Sequence, residues 1–330
     1  MDIKDAVNQL RVTNRQKVLF YLLKEKCASR VELAGELNLT KAAVTLLVGD
    51  MIQEGILLEQ GEVDVLKDKK RARGRRRIGV AINKNYKLSF GAAIERDKLL
   101  IGLTNLQGEV LDKRIVDFED NIEYRTILEL IVENIENLIR ENYITNDNII
   151  GLGVAVSKGA MDYVYSGSDK TTKIKKDLSH ALSMKIASSE TLAGGLIAEC
   201  LFGVQRKLLN MFLVRYGKEK NSAIFINGNI YRGANLGAGG FACLLKNNDK
   251  EDETSKVTDA IINMNCVLDS AAIGLMGEYF ETEENFDKVK NGIKEHCKAE
   301  VFKSILKNDN LFLAGNALAV NEFFYKNAFL

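Results

Sequence analysis

The 330-residue sequence contains no proline and no tryptophan, and only two histidines. No function attaches to the first two absences. The scarcity of His180 and His296, and the scatter of Cys27, Cys200, Cys243, Cys266 and Cys297 with no C-x-x-C pair, argue against a structural zinc site. The thiols are expected to be free, buried or partly buried, in a reducing compartment. No stretch approaches the roughly 20 apolar residues that span a bilayer. The first residues, MDIKDAVNQLRVTNRQ, lack the apolar core of a signal peptide. A cytoplasmic protein with no membrane partner is expected.

What the chain does have is a charge asymmetry. Its formal net charge is +1, yet residues 1–80 hold 16 basic against 11 acidic residues and the remainder 30 against 34. With 46% hydrophobic residues it can bury substantial cores, and its length suits a small reader domain, 1–80, followed by a larger α/β unit, 81–330.

Within the first eighty residues, Val18, Leu19, Leu22 and Leu23 are spaced for a helix over 15–26. Ser29-Arg30-Val31-Glu32 is a capping box, in which hydroxyl and carboxylate satisfy each other's backbone amides. It predicts a second helix from near Arg30 with Val31, Leu33, Ala34 and Leu37 inward. Asn38-Leu39 makes a turn, and Thr40 caps a third helix over 41–54. That helix turns Val44, Leu47, Val48 and Met51 to one face and Lys41, Ala42, Thr45 and Gly49 to the other, a small, acid-poor face of the kind that enters a major groove. Lys41 suits phosphate or guanine, and Ala42 and the Thr45 methyl suit thymine methyl groups. A three-helix bundle that binds protein has the same spacing.

Gly55 stops the helix, Ile56-Leu57-Leu58 reads as a strand, and Arg77 to Ala81 returns as its partner, forming a wing. Between them, residues 67–77 carry eight basic residues and one acidic one. Such a strip is often a solvated linker. Beside a recognition helix it is expected to neutralise phosphates, with salt-sensitive affinity, and Arg73-Gly74-Arg75 suits a narrow A·T-rich minor groove. The expected DNA-contacting set is Ser29, Arg30, Thr40, Lys41, Ala42, Thr45, Arg71, Arg73, Gly74, Arg75, Arg76 and Arg77.

Asn14 to Leu19, Ser29 to Ala34, Leu39 to Thr45, Gly55-Ile56-Leu57 and Arg73-Gly74-Arg75-Arg76 together resemble the start of ROK-family repressors. Tyr86 to Ile94, Leu99 to Leu111, Ile149 to Val156, Ala193 to Gly203, Asn210 to Arg215 and Ala223 to Gly233 extend the resemblance over nearly the whole chain. It implies an α/β protein: an N-terminal winged helix-turn-helix followed by a two-lobed actin-like, ribonuclease-H-like ATPase fold. A repressor of carbohydrate-related genes follows from it, acting as a homodimer or higher homo-oligomer on a pseudo-palindromic double-stranded DNA operator, with a small-molecule effector left open.

The family's kinase chemistry is altered in register. An Asp-x-Gly-Gly-Thr-like phosphate loop is replaced by Ala93-Ile94-Glu95-Arg96-Asp97, and the catalytic Asn-Asp element by Glu190-Thr191. The second glycine-rich turn has become Gly217-Lys218-Glu219-Lys220-Asn221. The sugar-contacting Gly-Glu-x-Gly-His segment aligns with Gly239-Gly240-Phe241-Ala242-Cys243, and Lys246 to Ser255 stands where the zinc cysteines would lie. The expectation is no kinase activity, no cofactor, no metal and a weakened sugar site, with Gly237, Gly239 and Gly240 making a tight turn. A ROK-type sugar kinase or sugar-binding enzyme, or a protein-interaction scaffold, are the alternatives.

Overall fold

A computed structural model describes residues 3–63, 77–119, 122–160, 170–203, 210–235, 237–246 and 252–325. The chain divides into two compact units, Met1–Lys87 and Leu88–Leu330.

The first unit contains α1 (Ile3–Glu25), β1 (Ala28–Ser29), α2 (Arg30–Glu36), α3 (Lys41–Gln53), β2 (Leu57–Val63) and β3 (Arg77–Ile82). Helix α1 begins well before position 15: no glycine or proline interrupts 3–14, and Ile3, Val7 and Leu10 continue a helical spacing. It stops at Glu25 because Lys26 adopts a left-handed φ of 66°. Asn38, with φ 52°, separates α2 from α3. The core gathers Val18, Leu22, Leu33, Val44, Val48, Met51, Leu57 and Val80. Val31 departs from expectation and is 43% exposed; so short a helix aims its buried side through Leu33 and Ala34, and Val31 falls beside that face. The three strands pair antiparallel in the order β1-β3-β2. Strand β3 runs on to Ile82, and Asn83 then folds back, its side-chain amide donating to the Gly55 carbonyl (2.9 Å), so the compact unit extends a few residues past position 80.

The second unit repeats one sheet twice. Strands β4 (Leu88–Ile94), β5 (Lys98–Asn105), β6 (Val110–Asp117), β7 (Ile149–Val156) and β8 (Ile186–Glu190) form the sheet β6-β5-β4-β7-β8. Strands β9 (Met211–Arg215), β10 (Asn221–Ile226), β11 (Asn229–Tyr231), β12 (Ala272–Met276) and β13 (Glu300–Lys303) form β11-β10-β9-β12-β13. In each, the first three strands meander antiparallel and the last two add in parallel beside the first. This doubled order is the two-lobed architecture expected above.

Helices α4 (Tyr124–Glu141) and α5 (Lys170–Leu182) cover one face of the first sheet; α4 buries Ile127, Ile131, Ile135 and Leu138 at helical spacing. Helices α7 (Phe241–Lys246), α8 (Glu253–Leu268) and α9 (Glu283–Lys294) belong to the second lobe. Between the sheets run α6 (Thr191–Leu201) and α10 (Phe312–Phe323), packed on each other. Helix α10 approaches the first sheet backbone to backbone: a Cβ on Gly153 would lie 1.8 Å from the Gly315 carbonyl oxygen. Glycine is obligatory there. The buried Asn316 amide then donates to the Ser89 carbonyl (2.8 Å), fixing the helix in register. Against expectation, Cys243 and Cys266 are exposed on α7 and α8; Cys200 is buried and Cys27 and Cys297 are half-buried, all five as free thiols.

Candidate nucleic-acid interface and interlobe cleft

Helix α3 starts where Thr40 Oγ1 accepts the Ala43 amide (3.2 Å). Val44, Leu47, Val48 and Met51 are buried, leaving Lys41, Ala42, Thr45 and Gly49 exposed. Sequence reasoning missed a further member of that face: Leu46 is 69% exposed. The signal was present, since Leu46 lies one helical turn beyond Ala42, but its apolar character placed it in no outward set.

One expected contact is corrected and another is found in a surface ion pair. Ser29 is buried, its Oγ accepting the Glu32 amide (3.3 Å) while the Glu32 carboxylate accepts the Ser29 amide (2.7 Å); the hydroxyl caps a helix and is not presented to a ligand. Arg30 is paired with Glu59 on β2 (2.8 Å), so a phosphate would have to compete for it. Arg15 likewise grips the Glu54 carboxylate with both terminal nitrogens at the end of α3. Arg71, Arg73, Gly74, Arg75 and Arg76 lie outside the described residues. Arg77 opens β3 opposite Val63, so the two wing strands converge on the basic segment as expected, with a register shift at Gly61.

In the second unit, the doubled sheets set the turn after β4 against its counterpart after β9. These are the turns at which the resemblance to ROK kinases implies phosphate binding. Here charge pairs fill them. Glu95 and Arg215, each almost fully buried, meet at 2.7 Å. Glu219 accepts from Arg215 (3.2 Å) and from the Gly159 amide (2.7 Å), and Lys218 pairs with Asp97 (3.0 Å). Burial pushes the Glu95 carboxyl up against the pull of Arg215. For Arg215 burial alone would lower the value, but Glu95 and Glu219 outweigh it and hold the guanidinium charged. An entering phosphate would meet two carboxylates, with the nearest cation already engaged.

Further along the cleft Arg232 donates to Ser189 Oγ (3.1 Å) at the end of β8. Glu190 is exposed before α6, and Thr191, which starts that helix, is buried. Gly239 makes the expected tight turn: φ is +82° and a Cβ would lie 2.3 Å from the Ser222 carbonyl oxygen. Neighbours crowd neither Gly237 nor Gly240 in this way. Glu199 on α6 is wholly buried; Ser304 Oγ and the Ile305 amide (2.9 Å) donate to one of its oxygens, yet burial raises its pKa from 4.5 to about 7.

The architecture can be set beside solved structures. The crystal structure of a ROK-family transcriptional regulator, a homologue of the E. coli MLC protein, superposes on 96% of this chain and 97% of its own, with TM-score 0.66 and 14% identity. The fold is the ROK fold. A ROK hexokinase from Thermus thermophilus matches 70% of this chain and 97% of its own at TM-score 0.53 and 13% identity. By sequence the chain is similar to a xylose repressor of Caldicellulosiruptor bescii, 23% identical over 231 residues, covering 68% of this chain and 56% of that protein. It is also similar to a xylose repressor of Bacillus subtilis, 23% identical over 239 residues and covering 71% and 60%. The chain thus spans little more than half the length of these relatives. No family model matches the sequence. No helix among the described residues is long and apolar enough to cross a membrane.

Proposed function

We propose that this ROK-fold chain is a DNA-binding transcriptional repressor of carbohydrate-related genes, with a non-catalytic body. The observation that carries the proposal is the exposed, acid-poor face of α3 (Lys41, Ala42, Thr45), capped by Thr40 and followed by a two-stranded wing that leads into the basic segment. Lys41 and the first amides of α3 reach phosphate or a base edge. Arg71, Arg73, Gly74, Arg75, Arg76 and Arg77 supply minor-groove and backbone contacts. Similarity to proteins named xylose repressors supports the regulatory role and the link to carbohydrate. The body holds two readers in one homo-oligomer on a pseudo-palindromic operator. The Glu95–Arg215 pair, standing where phosphate would bind, supports a body without kinase activity.

The test is selection of bound duplexes from a random-sequence pool by the full chain, followed by gel-shift titration at several salt concentrations. Replacing Arg73, Arg75 and Arg76 by alanine is expected to weaken binding to most duplexes and to flatten the salt dependence by about three log-log units. Failure of the full chain to enrich any duplex overturns the reading. ATP-dependent phosphorylation of any hexose overturns the non-catalytic body.

A further inference from the structure

The outward face of α3 is unusual in what its side chains can offer a base pair. Thr45 Oγ1 donates to the Lys41 carbonyl (2.8 Å), so its hydroxyl proton is spent within the helix and its methyl remains to be presented. Leu46, 69% exposed, stands beside it one turn beyond Ala42. Over positions 41–49, the N-terminal part that reaches base edges, the exposed residues 41, 42, 43, 45, 46 and 49 include neither the Asn or Gln that read adenine nor the Asp or Glu that read cytosine; Asp50 and the exposed Gln53 follow in the last turn. Among those positions only Lys41 carries a charged head, and the feature a methyl-bearing face can read in the major groove is the thymine C5-methyl.

An exposed leucine is common on protein surfaces, and one alone carries nothing. Here it lies in the first two turns of a helix whose N-terminal amides and Lys41 are positive, ahead of the half-buried Asp50, in a unit that carries the basic segment, so the complementary partner is a polyanion with apolar groups on its groove floor. We infer that Leu46, with Ala42 and the Thr45 methyl, reads DNA by packing on thymine C5-methyl groups, Leu46 being the principal determinant of sequence preference. The inference rests on the proposed function and assigns its specificity to apolar contact.

The test uses the full-length chain and the duplex it selects most strongly, synthesised once with thymine and once with deoxyuridine in the half-sites, which removes only the methyls. Burial of one methyl is worth about fourfold in affinity, so loss of two is expected to weaken binding by roughly tenfold or more at fixed salt. Leu46→Ala, at an exposed position, is expected to weaken binding to the thymine duplex and bring the two duplexes within about twofold of each other. The Arg73, Arg75 and Arg76 alanine variant should lower both affinities and keep their ratio. Equal wild-type affinity for the two duplexes overturns the inference and leaves the repressor reading standing, as does Leu46→Ala keeping the full ratio. The inference also falls if Leu46→Ala lowers the oligomeric mass in light scattering with the ratio intact, because the leucine then serves a second copy of the chain. Enrichment of no duplex at all overturns both.

Discussion

The two units use the same residue types in opposite ways. In the first, Lys41 stands in solvent at the start of α3, and the arginine pairs Arg15–Glu54 and Arg30–Glu59 are at least partly exposed. In the second, Arg215 is 4% exposed and wedged between Glu95 and Glu219. A surface pair contributes little, because water competes for both charges. A buried pair is worth little in its net formation but is costly to break, because the surviving charge stays stranded in a poor dielectric. Charge on the reader is therefore available for a partner, while charge in the cleft is committed to the fold.

The largest effect that would break this contrast is at Arg215. Arg215→Ala leaves Glu95 buried without its guanidinium, and urea unfolding of the second unit is expected to show a loss of about 3–5 kcal/mol. Replacing both Glu95 and Arg215 by leucine should recover most of it. An equal loss in the double variant would mean that the site depends on shape rather than charge.

A smaller effect sharpens the comparison through pH. Glu199 titrates near 7 in the folded chain against an ordinary 4.5, because burial favours its neutral form. The folded state therefore holds the proton more tightly, so this contribution to stability is full below about pH 4.5 and is lost as pH rises through about 7. Glu199→Gln keeps an acceptor for Ser304 and Ile305 and removes the titration. It should match the wild type in acid and exceed it above pH 7 by on the order of 3 kcal/mol. Parallel stability curves for the two proteins across that range would refute the assignment.

The smallest effect belongs to the reader. Thr40→Ala removes the acceptor for the Ala43 amide and is expected to cost about 1 kcal/mol. Hydrogen exchange on the full chain should show the first-turn amides of α3 less protected by roughly fivefold, with the sheets of the second unit unchanged.

What could be read from the sequence was what is local. The capping box at Ser29 and Glu32, the Thr40 cap and the buried face of α3 each depend on residues a few positions apart, and each stands in the structure. The loss of the phosphate loop is legible at Glu95, but its neutralising partner lies in the other lobe, far along the chain, and no spacing rule connects the two. Ser29 looks outward because a capping serine is free in sequence terms until its tertiary surroundings are known; burial claims it. Leu46 escapes for the converse reason, an apolar residue being credited to a core by default. Val31 is placed inward by the same default.

The glycine contacts between the sheets have a mechanical consequence. Helix α10 is seated on the first sheet with backbone against backbone at Gly153 and Gly315, and Asn316 pins it there. Its other neighbour, α6, comes nearly as close: a Cβ on Gly194 would lie 2.8 Å from the Ala314 carbonyl oxygen. Packing this tight has no side-chain layer between the backbones to absorb a misfit, so a single added methyl at Gly194 would act as a chock that forces α6 and α10 apart.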